Sequence, residues 1–574
     1  MEMVNVTIDG QKLQVPKTAT VLEAARIAGV KIPTLCYHPE LRPEGNCRVC
    51  MVAVAGARSL VASCVYPVND GMVVNTNTAD VREARKTVVE LLLANHPQDC
   101  LSCQRNLNCE LQSIAGDLGI RKVRFDGERK NYPIDENNPS IVRDQSKCIL
   151  CGRCIRACSE RQGVHVYSFA NRGFDTVVVP AFNQGLHEVA CTYCGQCASV
   201  CPTAAIVVKD DTQKVWHELS NPGKHVVVQT APAVRVALGE ALGLEPGAIV
   251  TGKMVAALRR LGFSKVFDTN FAADVTIMEE GAELLDRLEH GGKLPMITSC
   301  SPGWVNFAEL VYPELLDHLS TAKSPQQMFG ALVKTYYAEK TDVNPQDIVS
   351  VSIMPCTAKK AEAARSEMNS SGLQDVDYVL TTQELAAMIR QAGIDFNTLS
   401  NEEYDAPMGI ATGAGVIFGA TGGVMEAALR TVAEIATGKE LECIEFHGVR
   451  GLQGVKEAEV KIGETVVKVA VAHSLANARL ILDKIKKGDC DYHFIEIMAC
   501  PGGCIGGGGQ PVSSCADIRQ KRINSIYECD KCSQLRKSHH NPAVTELYEN
   551  WLGKSMGEKA HKLLHTHYHP QNRC

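Results

Sequence analysis

Cysteine placement constrains this chain more than any other feature. Of 574 residues 25 are cysteine, and many stand in short runs with only two or three residues between neighbours. Thiols at that spacing form either a disulfide framework or a metal scaffold. The first ten residues, MEMVNVTIDG, alternate like a strand. They show no basic stretch followed by an apolar one, so no export signal is read and a cytoplasmic location is expected. Disulfides are disfavoured there, and metal or redox chemistry leads. A hydrophobic content of 45% with 22% charged residues is ordinary for globular protein with buried cores. The net charge of −6 argues against a nucleic-acid partner, and no apolar run reaches membrane-spanning length.

Three cysteine groups fill the first 210 residues. In the first, Val4, Val6 and Ile8 alternate, Asp9-Gly10 turns, and Leu13 and Val15 alternate again, which predicts a hairpin. Thr20 and Glu23 form a capping box for a helix that stops at Gly29. A long loop then presents Cys36, Cys47 and Cys50, and Cys64 follows downstream. This order resembles the plant-type [2Fe-2S] ferredoxin fold, with ten residues rather than four between the first two cysteines. A zinc knuckle is the alternative. The second group, His96, Cys100, Cys103 and Cys109, follows a helical segment from Ala79 to Asn95. It suits zinc or a [4Fe-4S] cube, and its neighbours favour the cube. The third, CILCGRCIRAC and CTYCGQCASVCP, matches the bacterial two-cluster ferredoxin run, in which each fourth cysteine serves the other cluster. Cys148, Cys151, Cys154 and Cys201 are therefore assigned to one cube, and Cys191, Cys194, Cys197 and Cys158 to the other. Ser159 replaces the usual proline. One [2Fe-2S] and three [4Fe-4S] clusters make a wire, and a wire needs a terminal.

From about residue 211 apolar strands alternate with helices, which predicts α/β architecture with mostly parallel sheets. Sites in such folds collect in loops after strand ends. Cys300 follows LPMIT, Cys356 follows VSVSIMP, and Cys500 and Cys504 follow YHFIEIMA. Four thiols from three loops suit one further cube. The stretches TSCSPGW, MPCTAKKAEAAR and EIMACPGGCIGGGGQP, in this order behind this cluster array, resemble the signatures of [FeFe]-hydrogenases. The resemblance implies the reaction 2H⁺ + 2e⁻ ⇌ H₂ at an H-cluster, a [4Fe-4S] cube bridged by cysteine to a diiron unit with CO, cyanide and dithiolate ligands. It implies Cys504 as the bridge and Cys356 and Cys500 on the cube. Relatives commonly carry two adjacent cysteines where this chain has Cys300 and Ser301. Thiolate is the better iron ligand, so Cys300 is the expected fourth ligand with Ser301 relaying protons; the reverse assignment follows from matching positions. By the same resemblance Lys359 meets a cyanide, Met354, Met498, Phe418 and Gln326 wall the pocket, and Ala233 stands where relatives have serine.

Glu280, Glu283 and Arg287 lie at i, i+3 and i+7, on one helical face. The family's proton route maps onto Arg287, Glu283, Ser320, Glu280 and the residue at 300 or 301. The expected architecture is multidomain α/β and α+β. It comprises a β-grasp ferredoxin-like domain (1–79), a small His/Cys cluster domain (80–125), a two-[4Fe-4S] ferredoxin-like domain (126–210) and a two-lobed α/β H-cluster domain (211–574). Expected partners are ferredoxin or another one-electron carrier, or NAD(P)/flavin-binding subunits, since no dinucleotide fingerprint follows a strand. A low-turnover hydrogen sensor and a non-catalytic electron-transfer subunit are the alternatives. Cys529 and Cys532 have metal-clip spacing near His561, His565, His567, His569 and Cys574, although two reduced thiols beside a His-rich tail are expected. Cys443, Cys490 and Cys515 are expected to be structural.

Overall fold

The computed structural model describes residues 2–463, 465–512 and 517–573. Cys515 and Cys574 lie outside them. At the N-terminus Met3–Ile8 and Gln11–Pro16 pair antiparallel. Asp9 and Gly10 both adopt left-handed backbone, at φ 46° and 87°, as a tight hairpin of right-twisted strands requires. Thr20 and Glu23 close the capping box on Val21–Ile27. The sheet has five strands, with Met3–Ile8 parallel to Met72–Asn75 at its centre. Val4, Val6 and Ile8 turn inward onto Leu22, Val52 and Val74.

Helix Ala79–Asn95 is capped by Thr78 and tied to this sheet by Arg85, which donates to the Met51 carbonyl at 2.7 Å. A cysteine-bearing loop and helix Glu110–Asp117 follow. They dock on the next unit through Glu110 N–H to the Pro202 carbonyl, Arg105 to the Cys201 carbonyl (2.8 Å) and Arg153 to Glu110. That unit is framed by Ile141–Arg143 antiparallel to Ile206–Val208 and carries the hairpin Ser168–Ala170 with Val177–Val179.

The remainder is built on two four-stranded sheets. In the first, Lys265–Asp268, His225–Thr230, Ile348–Met354 and Tyr378–Thr381 are all parallel. Ile348–Met354 is buried along its length, as a central strand covered on both faces must be. In the second, Met296–Ile297, Phe494–Met498 and Thr465–His473 are parallel, and Val455–Ile462 closes the edge antiparallel. The 22-residue helix Thr269–His290 packs against helices Pro325–Leu332, Gly413–Ile417 and Gly423–Thr437. The C-terminal segment wraps this half. Val544, Leu547, Leu563 and Leu564 pack with Phe271, Phe329 and Val333, and Arg573 reaches the Cys191 carbonyl. The architecture is multidomain α/β, and no described helix is long and apolar enough to cross a membrane.

Candidate active site

The parallel strands of both sheets end at one cavity. Ala231 and Pro232 follow His225–Thr230, Cys356 follows Ile348–Met354, Cys300 and Ser301 follow Met296–Ile297, and Cys500 and Cys504 follow Phe494–Met498. Strand C-termini splayed around a crevice are where open α/β folds place their ligands. Met354, Met498, Phe418, Gln326 and Lys359 complete the cavity wall. The Cys356 and Cys500 thiols hydrogen-bond each other, which draws Cys356 below the ordinary thiol range and pushes Cys500 above it. Burial pushes Cys504 up to about 12. Cys300 is pushed well above the thiol range, first by burial and then by the charge of Glu280.

Glycine is obligatory beside these thiols. Gly503 has φ +90°, and a Cβ there would stand 2.6 Å from the Thr421 nitrogen. A Cβ on Gly508 would stand 2.6 Å from the carbonyl oxygen of Cys194, in the preceding unit. That contact is bolted by Thr357 Oγ1 donating to the Tyr193 carbonyl (2.7 Å) and Gln196 to the Gly506 carbonyl (3.0 Å). Cys194 consequently lies near enough to Cys356 and Cys500 for their charges to interact.

The N-terminal thiols fall into groups. Cys36 and Cys47 exchange N–H···S contacts of 3.4 and 3.5 Å, and Cys50 Sγ is 3.4 Å from Cys64 Sγ. Cys148, Cys151, Cys154 and Cys201 surround one another, as do Cys191, Cys194, Cys197 and Cys158. Cys103 neighbours Cys109, Cys100 is exposed, and the buried Nδ1 of His96 has no partner. An orphaned imidazole nitrogen beside thiols fits a metal ligand. Tetrahedral zinc would hold four sulfurs about 3.8 Å apart. Among the described residues only Glu434, His539 and His540 bring three or more ligand atoms all within 4.8 Å of one another. Glu434 there is already paired with Lys537 and His539. Among the described residues no three cysteine sulfurs come that close together, so the cysteine sets do not form a mononuclear tetrahedral site.

Residues 224–508 match the model of the iron only hydrogenase large subunit, C-terminal domain, and 516–571 that of the iron hydrogenase small subunit. Residues 1–79 match a 2Fe-2S iron-sulfur cluster binding domain, 85–124 the NADH-ubiquinone oxidoreductase-G iron-sulfur binding region and 147–205 a 4Fe-4S dicluster domain. The chain is 52% identical to the NADP-reducing hydrogenase subunit HndD of Solidesulfovibrio fructosivorans, over 100% of both chains. It is 42% identical to iron hydrogenase 1 of Clostridium pasteurianum, over 99% of this chain and 100% of that one. A variant of [FeFe]-hydrogenase HydA1 from Chlamydomonas reinhardtii superposes with a TM-score of 0.57 and 46% identity, covering 63% of this chain and 99% of that one.

The chain belongs to the iron-only hydrogenases. It is an oxidoreductase acting on H₂, with [2Fe-2S] and [4Fe-4S] domains and an H-cluster-binding domain. A purely electron-transferring role is thereby excluded.

Beyond the cavity of this hydrogenase lies an acidic helix face. Glu280 and Glu283, on Thr269–His290, are 1% and 4% exposed. Arg287 donates to Glu283 at 2.5 Å and Ser320 Oγ to its other oxygen at 3.2 Å. Neither oxygen of Glu280 has a hydrogen-bond partner, and burial raises its ionisation from 4.5 to about 8. Glu280 thus stands between Glu283 and Cys300, influenced by the first and influencing the second.

Several residues make contacts that the sequence did not specify. Lys359 Nζ donates to the Cys300 carbonyl (3.1 Å) and to Glu362 (2.9 Å), a carboxylate that sequence reasoning missed although it lies i+3 from the lysine. Gln326 lines the cavity, but its amide is braced by Ser352 and Glu362. Ala233 does not line the cavity. It is fully buried in the core behind Pro232, because the backbone turns inward there and its carbonyl accepts from Gln510. Cys529 is partly buried near Arg235, and Cys532 is exposed beside Glu528. His565 is buried against Thr321. Cys443 is exposed, so it packs no core.

Proposed function

We propose that Cys356, Cys500 and Cys504 hold the H-cluster, with Lys359 as the cationic hydrogen-bond donor beside it, and that Cys300 sits on its proton side. The convergence of these thiols and Lys359 on one cavity, with Cys194 behind and Glu280 in front, carries this reading. The H-cluster supplies the open metal site at which two protons and two electrons combine to H₂.

The chain's own residues do the rest. The three [4Fe-4S] clusters and the [2Fe-2S] cluster are held by the cysteine groups and His96, in units 1–79, 80–125 and 126–210, and 211–574 holds the catalytic cavity. Electrons pass inward by way of the Cys148 and Cys191 groups, the latter adjoining the cavity through Cys194. Protons move along Arg287, Glu283, Ser320 and Glu280 to the Cys300 thiol. A neutral Glu280 is poised to give its proton to a thiolate and to regain one from Glu283. Cys300 faces Glu280, Lys359 and Cys504, whereas the Ser301 hydroxyl accepts from Ala499 N–H (3.2 Å) beside Cys500. We therefore assign the cube side to Ser301 and the relay to Cys300, against the simple preference of iron for thiolate.

The length-long identity to an NADP-reducing hydrogenase subunit supports an NAD(P)-linked partner subunit as the electron exchanger. The test is an infrared spectrum of the matured chain combined with a coupled assay. Metal CO and cyanide bands with hydrogen evolution from a one-electron donor, and NADP reduction only when partner subunits are added, support it. Bands with negligible turnover under every donor would instead make the chain a sensor.

A further inference from the structure

The C-terminal segment places a buried histidine against the acidic helix. His565 and Glu279 are both fully buried as side chains, with His565 Nε2 3.0 Å from Glu279 Oε2. On its other side His565 Nδ1 lies 2.8 Å from Thr321 Oγ1. That hydroxyl is 3.0 Å from Glu283 Oε2, which also accepts from Thr321 N–H and Ser320 Oγ. Glu279 takes two further donors, the Tyr548 hydroxyl and Met556 N–H (2.8 Å). The sequence of contacts is Glu279, His565, Thr321, Glu283.

Shared hydrogen bonds couple these groups. Three carboxyl groups, Glu279, Glu280 and Glu283, are buried on two turns of one helix. Arg287 pairs with Glu283, Glu280 makes no ion pair, and His565 is the basic side chain against Glu279. Protons on both His565 nitrogens would pair the buried Glu279 carboxylate and satisfy Thr321 Oγ1 at once. The His565 Nδ1–H then occupies a lone pair of Thr321 Oγ1 and obliges that hydroxyl to donate into Glu283. With Nδ1 bare, the hydroxyl would rotate to His565 and Glu283 would lose a donor. The charged groups around Glu283 are thus Arg287, Glu279 and Glu280 on its own helix, with His565 and the exposed His561 stacked on it from the C-terminal segment.

We propose that His565 is a positioning residue for proton transfer, acting through Thr321 to set how tightly Glu283 holds its proton. This rests on the relay role of Glu283 given above. The network reaches Glu279, which also accepts from the Tyr548 hydroxyl and Met556 N–H, so it bears on the relay from the side of the C-terminal segment.

The test uses the matured enzyme and the variants Thr321→Val, His565→Gln and Glu283→Gln. Thr321→Val cuts the link and leaves the His565–Glu279 pair. Losing one donor to a charged group should move the alkaline limb of the turnover profile up by about one pH unit. His565→Gln should move it in the same sense. Both should shift the infrared carboxylate stretch of Glu283 while metal CO and cyanide bands stay unchanged. Should His565→Gln fail to fold, Thr321→Val decides alone. Wild-type profile and carboxyl band in Thr321→Val overturn the proposal. If Glu283→Gln also turns over fully, the relay reading itself falls; if Glu283→Gln is inactive, only the role of His565 does.

Discussion

Replacing Glu280 by glutamine separates two consequences of one buried carboxyl. Burial raises its ionisation from 4.5 to about 8, opposed by the nearby Ser320 hydroxyl and reinforced by the charges of Glu283 and Glu496. That rise of roughly 3.5 pH units corresponds to about 5 kcal/mol at 1.36 kcal/mol per unit. The folded protein holds a proton that the unfolded chain has already released. This contribution to stability is therefore complete below pH 4.5, declines as the pH climbs, and levels off above 8. Glutamine has no such dependence. Between pH 6 and pH 8 the wild type should lose about 2 kcal/mol relative to Glu280→Gln.

Because the chain has several domains, the loss is best read locally, by amide exchange in helix Thr269–His290 in both proteins lacking the diiron unit. The carboxyl stretch gives an independent reading. A protonated band should be present at pH 6, disappear with a midpoint near 8, and be absent from the variant. Hydrogen evolution should collapse in the variant at every pH, since an amide cannot relay a proton. A stability gap equal at pH 6 and 8, or a carboxyl band already gone at pH 6, would refute the burial argument.

Three further outcomes are expected. Gly508→Ala would press a methyl against the Cys194 carbonyl, so it should retain its iron yet lose several-fold of hydrogen evolution driven through the accessory clusters, read by single-turnover reduction kinetics. Lys359→Ala strands Glu362 as an uncompensated buried carboxylate, at a cost of about 3–5 kcal/mol; Glu362→Gln in the same chain should restore thermal stability but not the CO and cyanide bands. Cys300→Ala should keep the iron count and the paramagnetic signature of the cube while losing turnover, whereas Ser301→Ala should shift that signature; the opposite pattern returns Cys300 to the cube.

Chemistry is visible in a sequence when the geometry it needs lies within a few residues of chain. The accessory cysteines are legible for that reason, since a cluster-binding loop brings Cys148, Cys151 and Cys154 together by local turns alone, and only Cys201 must arrive from elsewhere. The Asp9-Gly10 turn and the Thr20/Glu23 box are legible likewise. The cavity is of another kind. Its thiols meet because two separate parallel sheets aim their strand ends at one crevice, and three matched motifs made that meeting foreseeable where periodicity did not. The antiparallel edge Val455–Ile462 is compatible with the mostly parallel expectation, but which strand would run antiparallel was not readable from apolar alternation. Ala233 fell behind the wall through a backbone turn that no side-chain pattern encodes. His565 marks the limit: its role depends on Thr321, 244 residues away, and on Glu279, 286 away, so a histidine in a His-rich tail reads as a surface group or a metal clip. Only packing of Leu563 and Leu564 beneath the helix Pro325–Leu332 turns that ring inward. The tail therefore belongs to the proton side of the site through contacts that local sequence could not specify.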